Sequence, residues 1–417
     1  MSGPAIDAAR LQADLDALAA ITDPDRPWTR RSFSQRFLAG RDWLRAAFEA
    51  EGLAVRLDAA GNLIGARPGS DPAAPILMTG SHSDTVPDGG RFDGIAGILC
   101  GLAAIRALNA AGIATRHPLE LVDFLAEEPS DWGISCVGSR GMAGALSPAD
   151  LARSGPGGET LGAAIDRIGG CVARLDTARR GSEVAGFLEL HIEQGRVLEQ
   201  AGAGLGIVSA IVAIRRYGVR FAGTAGHAGT TPMAGRADAG LALARLSLGV
   251  RDLGVEFAGL GRGHFVATIG VSTLLPGGAN VVPGAAEAVL DIRAEDPALL
   301  DLFETRLATL VAACAAAEGC EAAPVDEISR SAGHVGDAAL RDCLSRAAES
   351  RQERWLPIAS GAGHDTMFVG RFAPAAMLFV PSVEGRSHCP EEETALPDLV
   401  RGATCLMEAL LLRDARA

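Results

Sequence analysis

Lysine is missing from this chain: all 38 basic residues are arginine. That removes a Schiff-base amine and the phosphate-binding lysine of a P-loop. A GC-rich coding bias accounts for the absence without a functional reason. Tyrosine occurs once, and the eight cysteines form no C-x-x-C pair. Cys100, Cys314 and Cys405 lie inside apolar stretches, which reads as buried reduced thiols of a cytoplasmic protein. No run of 18 or more apolar residues suggests a membrane span. The start, MSGPAIDAARLQADLDALAAI, lacks a basic stretch followed by an apolar core and reads as an amphipathic helix, not a signal peptide. Positive charge is in deficit: the net charge of −13 argues against a nucleic-acid binder, whose target demands clustered cations. A G-x-S-x-G nucleophile elbow is absent too.

What is present is an apolar share of 48% and 52 glycines over 417 residues, as expected of a loop-rich α/β protein with two domains or one large one. Four apolar, strand-length runs end at polar residues of catalytic type. PILMTGSHSD ends at His82 and Asp84, LELVDFLAEEPS at Glu127 and Glu128, GFLELHIEQG near His191 and Glu193, and AAMLFVPSVEGRSH near His388. Continuous runs of this kind suit strands buried on both faces of a mostly parallel sheet. Ligands of such sheets bind beyond the carboxyl ends of the strands. Helices are expected over 95–109 and 398–413. From 213 to 328 the pattern changes to strand, helix, strand, strand, helix, with helices over 237–253 and 297–318 and alternating, half-buried strands. The expected organisation is an α/β catalytic domain over 1–212 and 329–417, flanked by helices, with an inserted α+β domain over 213–328.

The stretch GSHSDTVPDGGRFDG, 80–94, packs His82, Asp84 and Asp93 into a glycine-rich loop between an apolar strand and an apolar helix. His82 and Asp84 are two apart, so in an extended segment they share a face. If His82 binds a metal, Asp84 can accept from its other ring nitrogen and fix the tautomer. Glu127 and Glu128 would point to opposite faces of a strand; at its end, one can bind metal while the other stays free as a general base. Two ions bridged by a carboxylate polarise a carbonyl and generate hydroxide near neutral pH. Singly, an H-x-D or a Glu-Glu pair is ordinary surface chemistry; together the four endings point to a metal-dependent hydrolase. His117, before Pro118, reads as structural, and His264 and His334 have no supporting motif. A nucleophilic Cys389 beside His388 has no further support, and Pro390 follows at once.

GSHSDTVPDGGRFDG, AEEPSDWGISCVGSRGMAG, LELHIEQGRVLEQAG, GTAGHAGTTPM, GGANVVPG…LDIR, SGAGHDTM and MLFVPSVEGRSHCPEE resemble, in order, the motifs of the N-carbamoyl-L-amino-acid and allantoate amidohydrolase branch of the dinuclear zinc aminoacylase-like metallopeptidases. The resemblance spans about residues 15–410. It implies that His82 and His191 bind one metal, that Glu128 and His388 bind the other, and that Asp93 bridges both. It implies Glu127 as general base and Asp84 as the partner of His82. His227 resembles a residue that stabilises the oxyanion from the partner subunit. Asn280 and Arg293 resemble those holding a substrate α-carboxylate, a role that suits the forked guanidinium. Gln194 and the backbone near Gly361 resemble further substrate contacts. The implied cofactor is a pair of divalent ions, Zn2+ first, with Mn2+, Co2+ and Ni2+ also suited to such ligands. The inserted domain is implied to be a lid and to form a homodimer.

The chain departs from the family pattern after the Glu pair: Pro129, Ser130, Asp131 and Trp132 stand where many members have Gly-Ser-Arg-Phe. The metal-ligand positions are intact, but a loop next to the metals differs, so substrate identity is open. The expected reaction is hydrolysis of an N-carbamoyl-L-amino acid to the amino acid, CO2 and NH3. Allantoate or another ureido acid, an N-acyl-amino acid or dipeptide, and a ligand-binding protein without catalysis are the alternatives. Neither a nucleic-acid nor a membrane partner is expected.

Overall fold

The four apolar runs form buried strands, as their lack of polar alternation predicts. In the computed structural model, which describes residues 4–415, they are Ile76–His82, Leu119–Phe124, Val184–Ile192 and Ala375–Val380. They form a parallel array: Leu119–Phe124 pairs with Ile76–His82, which pairs with Val184–Ile192, which pairs with Ala375–Val380. Leu63–Arg67 and Leu205–Ile211 flank this array antiparallel, within a nine-stranded sheet. The register sets His82 opposite Phe124 and His191 opposite Phe379, so the four carboxyl ends lie side by side.

Helix Ile95–Ala110 lies directly on this sheet. Its residues Ile98, Leu99, Leu102 and Leu108 are fully buried, each worth roughly 1.5–3 kcal/mol of transfer free energy. Gly97 permits the close approach, since a Cβ there would fall 2.3 Å from the Leu190 carbonyl oxygen. The helix N-terminus is thereby held beside the strand ends. Helices Ala338–Ser350 and Leu396–Asp414 belong to the same unit, and Leu340, Leu344, Leu406 and Leu410 join its core. Helix Ala8–Ala19 buries Leu11, Leu15 and Leu18, the apolar stripe of an amphipathic helix.

The chain divides into two compact units, the first comprising Met1–Ser209, Val335–Ile358 and His364–Ala417, the second Ala210–His334 and Ala359–Gly363. The second unit is α+β. Strand Ala213–Ala222 alternates buried and more exposed residues, and its sheet has five strands. Helices Ala239–Ala258 and Pro297–Ala317 cover the apolar face with Leu246, Val250, Phe303 and Leu307. The expected limit at 328 cuts through strand Asp326–Ser331, which pairs with Ala213–Ala222; that pairing keeps the whole strand in the second unit. Residues 359–363 join it because Arg293 donates to the Gly361 carbonyl and the Val212 amide to that of Ser360. The helix expected to stop at 253 runs on through Gly254 to Ala258.

Candidate metal centre

Each strand end delivers its side chain in a distinct way. His82 closes its strand, and His191 sits one residue before the end of Val184–Ile192. Asp93 precedes Gly94, the N-cap of helix Ile95–Ala110. Gly94 has φ 68°, and a Cβ there would sit 2.4 Å from the His82 ring, so only glycine lets the loop pass. Ala126, Gln194 and His388 also have positive φ, 50°, 58° and 57°. Such backbone strain is concentrated where side chains must be aimed.

The side chains form two clusters, His82–Asp93–His191 and Asp93–Glu128–His388, in each of which the candidate ligand atoms lie within 4.8 Å of one another. Asp93 serves both. Its Oδ1 is 3.1 Å from His191 Nε2 and 3.7 Å from His82 Nε2, while its Oδ2 is 3.0 Å from His388 Nε2. Glu128 Oε1 is 3.2 Å from the same His388 nitrogen. Glu127 belongs to neither cluster; its Oε2 lies 3.6 Å from His82 Nε2.

The residues fit a metal pair. His191 Nδ1 meets the Ile192 carbonyl at 2.9 Å and His82 Nδ1 meets the Asp84 carbonyl at 3.0 Å, which turns both Nε2 atoms toward Asp93. His82 Nε2 is buried and has no hydrogen-bond partner, which suits a nitrogen placed to ligate a metal.

Charge tells the same story. Burial pushes His82 down, but Glu127, Asp84 and Asp93 outweigh it and hold the ring well above the ordinary histidine range. Burial likewise opposes His191, which Asp93 raises. Hydrogen bonds to Asp93 and Glu128 lift His388 to about 11. Asp93, despite its burial, is held well below the carboxylate range by His191 and His388. Burial, then the charges of Glu128, Asp365 and Asp84, push Glu127 well up. The site thus draws in positive charge, and divalent cations bound here would take the place of the imidazole protons.

Two of the expected site residues make further contacts. The carboxylate of Asp84 is 3.5 Å from His82 Nδ1, farther than the residue's own carbonyl, and it also accepts from the amides of Glu127 and Glu128, at 3.2 and 3.3 Å. It therefore fixes the turn that carries the Glu pair. Gln194 Nε2 donates to Asp93 Oδ2 at 2.9 Å, placing it on the shared carboxylate. Glu193, at the same strand end, accepts from the amides of Val197 and Leu198 and caps the next helix.

The departure loop is well anchored. Trp132 is buried, stacks edge-on with Phe33 at 4.8 Å and donates to the Glu159 carbonyl, while Asp131 pairs with Arg31 at 2.7 Å. Cys136 approaches Glu127: its Sγ is 3.7 Å from Oε1, and its amide donates to the Glu127 carbonyl. Cys136, Ser387, Glu392 and the buried pair Glu189 and Asp365 also lie around the site, and no motif or spacing marks them. Nothing in spacing separates Glu392 from its neighbours Glu391 and Glu393.

The other candidates stand in the second unit. His227 is exposed and its two-residue strand pairs with Val281–Val282, next to Asn280, whose carbonyl accepts from the Ala228 amide. The Gly229 amide donates to His227 Nδ1 at 3.1 Å, which leaves the ring proton on Nε2. Arg293 is held by Asp291 at 2.7 Å and by the Gly361 carbonyl at 2.6 Å. Burial lowers His264, and His117 is buried with its Nδ1 on the Pro75 carbonyl, a structural role.

A mostly parallel sheet with paired His/carboxylate clusters at its strand ends marks a hydrolase of the metallopeptidase kind. The chain belongs to peptidase family M20/M25/M40, whose pattern matches residues 78–412. It is similar to an N-carbamoyl-L-amino-acid amidohydrolase of Paenarthrobacter aurescens, 36% identical over 98% of both chains. It is 34% identical to an allantoate amidohydrolase of Bacillus subtilis over 90% of this chain and 91% of that one. A crystal structure of a hydantoinase/carbamoylase family amidase from Burkholderia ambifaria superposes with a TM-score of 0.91 at 37% identity, covering 100% of both chains. The chain is a hydrolase acting on C–N bonds of linear amides.

Proposed function

We propose that this hydrolase cleaves the ureido bond of an N-carbamoyl-L-amino acid, with two divalent ions at the paired clusters. The observation that carries this is the sharing of Asp93 between two His/carboxylate clusters with Glu127 left outside both. When bound, the ions supply the Lewis acidity that polarises the scissile carbonyl and acidifies water. Glu127 takes the proton of the attacking water on Oε2 and passes it to the leaving α-nitrogen. Asp84 holds the backbone of Glu127 and Glu128 while this happens. The water's oxygen joins the ureido carbon, the bond to the α-nitrogen breaks, and the carbamate released falls apart to CO2 and NH3.

Arg293 and Asn280 are the residues proposed to hold the substrate carboxylate, with Gln194 and the backbone at Gly361 as further contacts. His227 is proposed to donate to the oxyanion in the partner's site, a role supported by the proton on its Nε2. A homodimer through the second unit is supported by strand Phe265–Leu275, which among the described residues pairs on one side only and exposes Val271, Leu274 and Leu275. Leu241, Leu248 and Val255 add an exposed stripe on the helix packed against it, seven residues apart. Zn2+ is the first choice of ion, with Mn2+, Co2+ and Ni2+ also suited. Eight free cysteines support a cytoplasmic home, and among the described residues no helix is long and apolar enough to cross a membrane.

Ammonia release from N-carbamoyl amino acids and allantoate, and amino-acid release from N-acetyl amino acids, measured side by side on protein of known metal content, test the reading. Turnover of N-carbamoyl amino acids that stops on chelation is expected. Ammonia from allantoate alone would transfer the assignment to the ureido-acid alternative, supported by the Bacillus relative. Undiminished turnover by metal-free protein would remove it altogether.

A further inference from the structure

We infer that Glu392 is a positioning residue that locks the shared carboxylate of Asp93 in place and so couples the two metal clusters. The inference rests on the two-metal reading above. Glu392 is 2% exposed. Its Oε1 accepts from the amides of Phe92 and Asp93, at 2.9 and 3.0 Å. Its Oε2 accepts from Ser387 Oγ at 2.8 Å. Ser387 Oγ in turn lies 3.1 Å from Asp93 Oδ2. The loop before Asp93 folds tightly over this carboxylate: a Cβ on Gly90 would fall 1.8 Å from Oε1.

Glu392 stands on the segment that bears His388, and its own amide closes a turn onto the Cys389 carbonyl at 3.1 Å. One side chain therefore ties the Asp93 backbone, a ligand of both clusters, to the loop of a ligand of only one. Charge-assisted bonds from two backbone amides are strong and directional. Loss of an outer-shell partner of this kind commonly costs about 10–100-fold in metal affinity. Because Asp93 serves both clusters, losing its anchor weakens both; a residue that merely braced the His388 loop would weaken one.

The test is a Zn2+ titration against a competing chelator, with metal stoichiometry by mass spectrometry and thermal melting of the metal-free protein. It is run on the whole chain as wild type, Glu392→Gln and Ser387→Ala. The amide of Glu392→Gln still offers one acceptor but turns a donor toward the Ser387 hydroxyl. Expected are two ions per wild-type chain and a fall of about 10–100-fold in affinity for both in Glu392→Gln. The metal-free melting point should stay close to wild type, and Ser387→Ala should shift both affinities the same way by less. Unchanged affinities, or loss at one site only, overturn the inference while leaving the two-metal reading intact. If Glu392→Gln does not fold, Ser387→Ala decides on the same criterion. A wild type that binds fewer than two ions sinks the two-metal reading, and the inference with it.

Discussion

The two clusters that meet at Asp93 are built differently. His82 and His191 stand on neighbouring parallel strands and are each 1% exposed. His388 stands on a loop, in a left-handed backbone conformation, with its side chain 48% exposed. Strand pairing fixes the first cluster before any ion arrives, whereas the second depends on a loop that must be held from outside. Preorganised ligands lose less freedom on binding, so the buried cluster should hold its ion more tightly and exchange it more slowly.

The comparison can be broken most forcefully at Glu127, which stands against the buried cluster without belonging to it. Glu127→Gln should lower kcat by about 10²–10⁴-fold while both ions remain. A variant that loses an ion along with activity would make Glu127 a ligand and erase the distinction. Next in size, His388→Ala should weaken the exposed cluster by more than the ~10–100-fold of an outer-shell loss. It should leave about one equivalent of metal on the buried one. Loss of both ions would show that the buried cluster has no independent affinity.

Proton release sharpens the contrast further. In the metal-free protein His388 is raised to about 11, so it is protonated through the neutral range, and an ion can bind there only by displacing that proton. Affinity of the exposed cluster should therefore rise with pH up to that region, by about tenfold per unit for each proton released. Calorimetry in buffers of different ionisation enthalpy counts those protons, and a pH-independent affinity would contradict the assignment. The smallest effect is expected at Gly94→Ala. Its Cβ would meet the His82 ring at a positive φ, which should cost about 1–3 kcal/mol, read as a lower melting temperature, with the buried cluster's affinity falling before the exposed one's.

Much of this site is legible in the sequence because parallel sheets bury their strands on both faces. An apolar run that stops at His82, or just before Glu127, announces a strand end, and ligands gather at such ends. What the sequence hides is where a side chain turns after the strand stops. Glu193 and His191 share a run, yet Glu193 caps a helix. Asp84 is spaced to reach His82, but that spacing gives no sign that its carboxylate also accepts from the Glu127 and Glu128 amides. Glu392 lies among three consecutive acids, and only the fold of the Gly90 loop over it distinguishes it. The limit of the second unit is hidden in the sequence because strand Asp326–Ser331 has mixed polarity and exposed side chains, with no apolar alternation to reveal it.

Strand Phe265–Leu275 has a practical consequence of its own. Over eleven residues it carries neither a charge nor a proline, and among the described residues it pairs on one side only. These are the features that natural sheets avoid at an uncovered edge, where another chain can add on without limit. A variant engineered to stand alone should therefore be prone to fibrils or precipitate rather than behave as a well-mannered single chain. A lysine placed on the outward face at Val271 would be the obvious remedy, and the first such residue this chain has had.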